Sequence, residues 1–139
     1  MFPKNMPKKI RKFKFEKLAR DEIVQGIIGA GNKPTLRTLM TDEYIEELKK
    51  KILEEAMELN KAKEKEEILE ELADIEEVTE NILRAFGLRK YEILKIQRKK
   101  NAKRGSFKKR HYVEKVEVED GNEWLDYYLS NPDKYPEIK

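Results

Sequence analysis

Apolar positions recur at three- and four-residue spacing over two long stretches in the middle of the chain. Ile45, Leu48, Ile52 and Leu59 form one stripe; Ile68, Leu72, Ile75, Thr79, Ile82 and Phe86 form another. Each repeat is that of an amphipathic helix, the first running to about Asn60 and the second covering about residues 66–86. Thr41 or Asp42 is placed to cap the first helix, and Asp42 and Glu43 suit the positive end of its dipole. The polar stretch 60–65 between the stripes predicts a turn, and hence an antiparallel helical hairpin. Gly87 follows the second stripe where a left-handed helix terminator belongs.

Weaker patterns flank the hairpin. Leu18, Ile23 and Ile27 fit a short helix over residues 15–28, broken by Gly29, Gly31, Asn32 and Pro34. Residues 35–40 read as a connector. A third helix over 90–103 would turn Tyr91, Leu94 and Ile96 inward and its lysines outward. Alternation over 112–118 predicts a short strand. Trp124, Leu125, Tyr127, Tyr128 and Leu129 predict a short docking helix ahead of Pro132. The expected fold is all-α, a hairpin forming a four-helix bundle completed by dimerisation, with a short C-terminal strand and tail. The expected organisation is a basic N-terminal arm (1–14), a central domain (15–118) and a C-terminal tail (119–139).

Composition removes several kinds of chemistry. The 139 residues contain no cysteine and one histidine, His111. Thiolate zinc sites, cysteine nucleophiles, disulfide frameworks and multi-histidine metal sites are thereby excluded. With 31 Lys+Arg against 28 Asp+Glu, 42% of residues are charged yet the net charge is only +3. That balance fits neither a histone-like tail nor an acidic disordered segment. No apolar run reaches the ~18 residues of a membrane span, and the basic N-terminus lacks the apolar stretch of a secretory signal. A soluble, cytoplasmic protein is expected, with carboxylates, lysines, arginines and hydroxyls left to do its chemistry.

The carboxylates of the hairpin are arranged unusually. On a helical wheel Glu55 falls inside the first apolar stripe and Glu58 at its edge, with Lys51 between them, whereas Glu54 points to roughly the opposite side. Glu71 and Asp74 border the second stripe. The pairs Glu55/Glu58 and Glu71/Asp74 are equidistant from a point between Glu64 and Lys65, each about eight residues or ~12 Å from it. In an antiparallel hairpin four carboxylates would therefore meet at one level. Unaided, at least one would have to stay protonated; a divalent cation would relieve the repulsion. All-oxygen donors favour Mg²⁺ or Mn²⁺ over zinc or copper, and the Glu-x-x-His of bundle di-iron sites is missing. A solvated face is the alternative for any one Glu-x-x-Glu in so glutamate-rich a chain.

Glu55-x-x-Glu58, a spacer, then Glu71-x-x-Asp74 resembles the metal-binding motif of the all-alpha nucleoside triphosphate pyrophosphatases, the MazG-like superfamily. Asn81, seven residues after Asp74, stands where that superfamily typically has an asparagine. Lys17-Leu18-Ala19-Arg20-Asp21-Glu22-Ile23 is similar to the Lys-Leu-Val-Arg-Asp-Lys-Ile opening of the phosphoribosyl-ATP pyrophosphohydrolase-like branch. Arg104-Gly105-Ser106-Phe107 is similar to its Arg-Gly-Gly-Phe loop. Ala19, Glu22 and Ser106 depart from that branch. The resemblance runs over about residues 15–118. It implies a Mg²⁺-dependent enzyme, for which Mn²⁺ would also serve, working as a homodimer or higher homo-oligomer. It would convert a nucleoside triphosphate, standard, modified or phosphoribosyl-ATP-like, to the monophosphate and pyrophosphate. Glu55, Glu58, Glu71 and Asp74 would hold the metal, and Lys17, Arg20, Lys51, Asn81 and Arg104 the substrate.

Residues 95–110 carry nine Lys/Arg and no acid. A solvated face, a nucleic-acid footprint and a triphosphate grip all fit this run. Phe107 is the one aromatic within it, sparse interleaving for a nucleic-acid surface, whereas Gly105 beside Arg104 lets backbone approach a phosphate. Two other classes stand beside the enzyme: a basic helical nucleic-acid-binding protein and a non-catalytic helical dimer. His111 reads as a surface or packing residue. Trp124 and its tyrosine neighbours read as tail packing or a subunit contact.

Overall fold

The computed structural model describes residues 6–139, so the first five residues of the expected basic arm lie outside them. Five helices follow one another: α1 (Asp21–Gly29), α2 (Thr41–Lys61), α3 (Lys65–Ala85), α4 (Lys90–Arg104) and α5 (Leu125–Leu129). The chain divides into two compact units, Met1–Arg98 and Lys99–Lys139. Among the described residues no helix is long and apolar enough to cross a membrane.

The hairpin expected from the two stripes is the dominant feature, and α2 against α3 is the one extensive helix-to-helix packing among the described residues. Leu48 and Val78 are its buried centre, at 5% and 7% exposure. Ile45, Ile52 and Leu59 of α2 and Ile68, Ile75 and Ile82 of α3 are half-buried around them. The bend is tighter than the polar stretch suggested, since only Ala62, Lys63 and Glu64 separate the helices. α2 is capped by Met40 and not by Thr41 or Asp42, and no side chain bonds its first N–H groups. Acidic residues in its first turn compensate, with the Arg37 guanidinium donating to both oxygens of Glu43.

α3 closes with a Schellman motif. Gly87 takes φ 69°, and the N–H groups of Gly87 and Leu88 donate to Arg84 and Leu83 carbonyls at 3.0 and 2.8 Å. α4 then begins against α3, where the Lys90 ammonium lies 2.9 Å from Glu76 and 3.5 Å from Glu80. Tyr91, Leu94 and Ile96, expected inward, are 55%, 47% and 56% exposed.

Two expectations at the ends are corrected. The first helix does not start at residue 15. Glu16 adopts φ 45°, which no right-handed helix accommodates, and Lys17 and Arg20 are drawn aside into ion pairs, so the helix waits for Asp21. The strand over 112–118 does not form. Tyr112, Val113 and Val116 are 88%, 72% and 55% exposed, and an alternating segment without a neighbouring strand has nowhere to place its backbone hydrogen bonds. The tail helix does form. Just ahead of α5 the Trp124 N–H donates to Asn122 Oδ1 at 2.9 Å, and the rings of Tyr127, Tyr128 and Tyr135 lie 5.2–5.7 Å apart, Tyr128 edge-on to both others and Tyr127 tilted against Tyr135.

Among the described residues many large apolar side chains are exposed. On the hairpin itself Leu53, Met57 and Leu69 are 66%, 62% and 66% exposed.

Candidate metal centre and adjoining cavity

Glu55 lies six residues before the end of α2 and Glu71 six residues after the start of α3. The short bend therefore sets them at one level. Asp74, one turn beyond Glu71, completes a group of three half-buried carboxylates whose facing oxygens all lie within 4.8 Å of one another. Glu58 is exposed and is not among them. It lies one turn nearer the bend, at the edge of the apolar stripe, where its side chain reaches solvent.

Cations reach only part of the three-acid group, at Asp74 through Arg20 and near Glu55 through Lys51. Glu71 Oε2 is buried and has no hydrogen-bond partner. Burial first, then the approach of the Glu71 carboxyl and the charge of Asp74, raises the Glu55 carboxyl above its ordinary range, against the pull of Lys51. Glu55, Glu71 and Asp74 offer an all-oxygen donor set, with one buried Glu71 oxygen unpartnered, of the kind that could hold a hard divalent cation such as Mg²⁺ or Mn²⁺.

Basic residues surround the acids. The Arg20 guanidinium donates to Asp74 Oδ1 at 2.6 Å. Lys17 donates to Glu54 Oε1 at 3.0 Å, and Lys51 to Glu54 Oε2 at 3.2 Å. Those two ammonium groups hold the Glu54 carboxyl below its usual range, the Lys17 hydrogen bond contributing most. The wheel placed Glu54 away from the apolar stripe, as an idle position. It is instead the meeting point of two cations, because the segment ahead of α1 reaches it.

A cavity of about 740 Å³ opens beside the acids, lined within the first unit by Glu55, Asp74, Arg20, Lys51, Tyr44 and Asn81 among others. Asn81 is fixed there. Its Nδ2 donates to the Glu77 carboxylate at 2.7 Å and to the Glu77 carbonyl at 2.9 Å, while its Oδ1 accepts from Tyr44 Oη at 3.3 Å. Arg37 lines the same space on its way to Glu43. Of the nine residues singled out in the sequence, Arg20, Lys51, Glu55, Asp74 and Asn81 line this cavity. Glu71 joins through the acidic group and Lys17 through Glu54. Arg104 belongs to the second unit, at the end of α4, where Gly105 follows at φ 79°.

Tyr44, Glu77 and Arg37 were not singled out from the sequence. Tyr44 is four residues before Leu48 and Glu77 four before Asn81, so both share a helix face with a residue already picked out. Arg37 carries no such signal.

Compared with protein-family models, with curated proteins and with solved structures, the chain shows no match in any of the three.

Proposed function

We propose that this protein is a Mg²⁺-dependent nucleotide pyrophosphohydrolase that converts a nucleoside triphosphate, or a related phosphoribosyl nucleotide, to the monophosphate and pyrophosphate. The observation that carries the reading is the group Glu55, Glu71 and Asp74, with a buried, unpartnered Glu71 oxygen, beside a cavity whose lining mixes the cations Arg20, Arg37 and Lys51 with further carboxylates. The resemblance of the acidic motif and its flanks to the MazG-like pyrophosphatases supplies the reaction class.

Glu55, Glu71 and Asp74 would hold Mg²⁺, or Mn²⁺ in its place, with Glu58 a turn away on the solvent side. A bound divalent ion supplies charge neutralisation at the phosphates and acidifies water. The protein's own groups do the rest. A carboxylate of the group, Glu55, orients the water that attacks the α-phosphorus or takes its proton. The bond from that phosphorus to the α–β bridging oxygen breaks, and pyrophosphate leaves with the bond's electrons. Lys51 and Arg20, with Lys17 behind them, steady the growing negative charge. Asn81, held by Tyr44 and Glu77, orients the nucleoside end.

We further propose that the working form is a homodimer, in which a second hairpin covers the face bearing Leu53, Met57 and Leu69 and completes a four-helix bundle. A face this apolar is otherwise left in water. Pyrophosphate release from a panel of standard, modified and phosphoribosyl nucleotides tests the activity. Mg²⁺-dependent release that Glu55→Gln abolishes is expected. Absence of release across the panel would dismiss the enzyme reading.

A further inference from the structure

Segment 17–20 spans the hairpin. Lys17 is bound to Glu54 on α2 and Arg20, three residues later, to Asp74 on α3. Between them Leu18 and Ala19 are half-buried against the cavity. The two attachments differ in kind. Glu54 stands outside the acidic group and both its oxygens are taken by ammonium groups. Asp74 is a member of the group, and the oxygen that Arg20 holds belongs to the same carboxylate that would face a cation. Arg20 is also the N-cap of α1, with extended backbone (φ −64°, ψ 148°), so its side chain can swing without unwinding the helix.

Resting on the metal-site reading above, we propose that Arg20 is the resident counter-ion of the carboxylate group and that a divalent cation exchanges with it at Asp74. The segment stays tethered through Lys17 and Glu54 while Arg20 is released toward the cavity, where a phosphate is its next partner. Arginine and metal are thus competitors, and arginine and nucleotide are allies. Metal binding frees the guanidinium that the phosphates need, so the cation binds first and the nucleotide second.

The competition has a signature that a structural ion pair lacks. Removing a group that merely holds the fold together weakens metal and nucleotide alike. Removing a competitor tightens one and weakens the other. Titration of the full chain with Mn²⁺ alone, followed by calorimetry or by the electron paramagnetic resonance of the free ion, reads the first half. Arg20→Gln should bind Mn²⁺ roughly three- to tenfold more tightly than the parent, the range expected for losing one partly exposed, charge-assisted pair. Lys17→Gln, which removes an equal charge from the same segment but touches no member of the group, should change it less than twofold. For the nucleotide, Arg20→Gln should raise KM. In the unsubstituted protein the arginine side-chain NMR signal of Arg20 should shift on addition of Mg²⁺, toward its position in metal-free Asp74→Asn. This arm needs no assumption about how Arg20→Gln folds.

The outcomes separate the two ideas. Saturable Mn²⁺ binding that Asp74→Asn removes, combined with unchanged or weaker binding by Arg20→Gln, would overturn the exchange and leave the metal site standing. Absence of any Mn²⁺ binding that depends on Asp74 would overturn both.

Discussion

Glu54 and Glu55 are consecutive residues of α2 whose carboxyl groups are pushed in opposite directions. Lys17 and Lys51 hold Glu54 below its usual range, whereas burial beside Glu71 and Asp74 raises Glu55. One helical step of about 100° separates a carboxylate saturated with cations from one short of them. The first carboxylate orients ammonium groups; the second is suited to a cation or a proton.

The raised carboxyl of Glu55 gives the metal-free protein an unusual pH response. A group whose folded-state pKa exceeds its unfolded one contributes stability at low pH, and that contribution is lost as pH rises through the raised value. Glu55→Gln should therefore melt above the parent at neutral pH without metal. The gain should shrink as pH falls toward the ordinary carboxylate range. Thermal melts of both proteins across pH test this, and an advantage that grows with acid would contradict it.

Metal should reverse that order. Mg²⁺ or Mn²⁺ should raise the melting temperature of the parent through linkage, and Glu55→Gln, Glu71→Gln and Asp74→Asn should each abolish the rise. Glu58→Gln should retain most of it, because Glu58 is exposed and outside the group. Equal loss at Glu58 and Glu71 would mean that the hairpin rearranges when metal binds.

The uncovered hairpin face predicts self-association. Leu53→Glu or Leu69→Glu should shift the protein from dimer to monomer in sedimentation experiments and make its melting temperature independent of concentration. A parent already monomeric at high concentration would rule out the shared bundle.

Arg104 separates phosphate binding from nucleic-acid binding. Arg104→Ala should raise KM and impair turnover with the fold intact, while Lys99→Ala and Lys100→Ala, on the same helix, should change little. A nucleic-acid surface would instead lose salt-dependent affinity by similar amounts at all three positions. Pyrophosphate release and affinity for a short duplex and a single strand, measured on the three variants, discriminate between the two.

The hairpin was legible because a 3.6-residue apolar period and a glycine terminator are local features, and both survive without knowledge of any neighbour. The level of Glu55 and Glu71 followed from counting toward the bend. What was not legible depended on contacts distant in sequence. Glu54 looked idle because the wheel knows nothing of Lys17, which lies 37 residues away. Residues 15–20 looked helical because their composition does not reveal that Lys17 and Arg20 are drawn onto two different helices. The alternation at 112–118 is a sound strand pattern, but a pattern cannot supply a second strand. Tyr91, Leu94 and Ile96 carry helical spacing, and the first unit offers them no surface to cover.

Glu55 and Glu71 stand equally far from the three-residue bend at 62–64, so their meeting depends on the difference between two arm lengths and on neither length alone. Seven residues spliced into each arm between the acids and the bend would carry the bend outward by roughly 10 Å and leave the acids within about 20° of their present facing. A single residue added to one arm would slide its acid by ~1.5 Å and swing it by ~100°, out of the group. The hairpin behaves as a ruler folded at its midpoint. Its tip is accordingly the place to graft a reporter or a foreign segment, provided that both halves of the ruler are cut to the same mark.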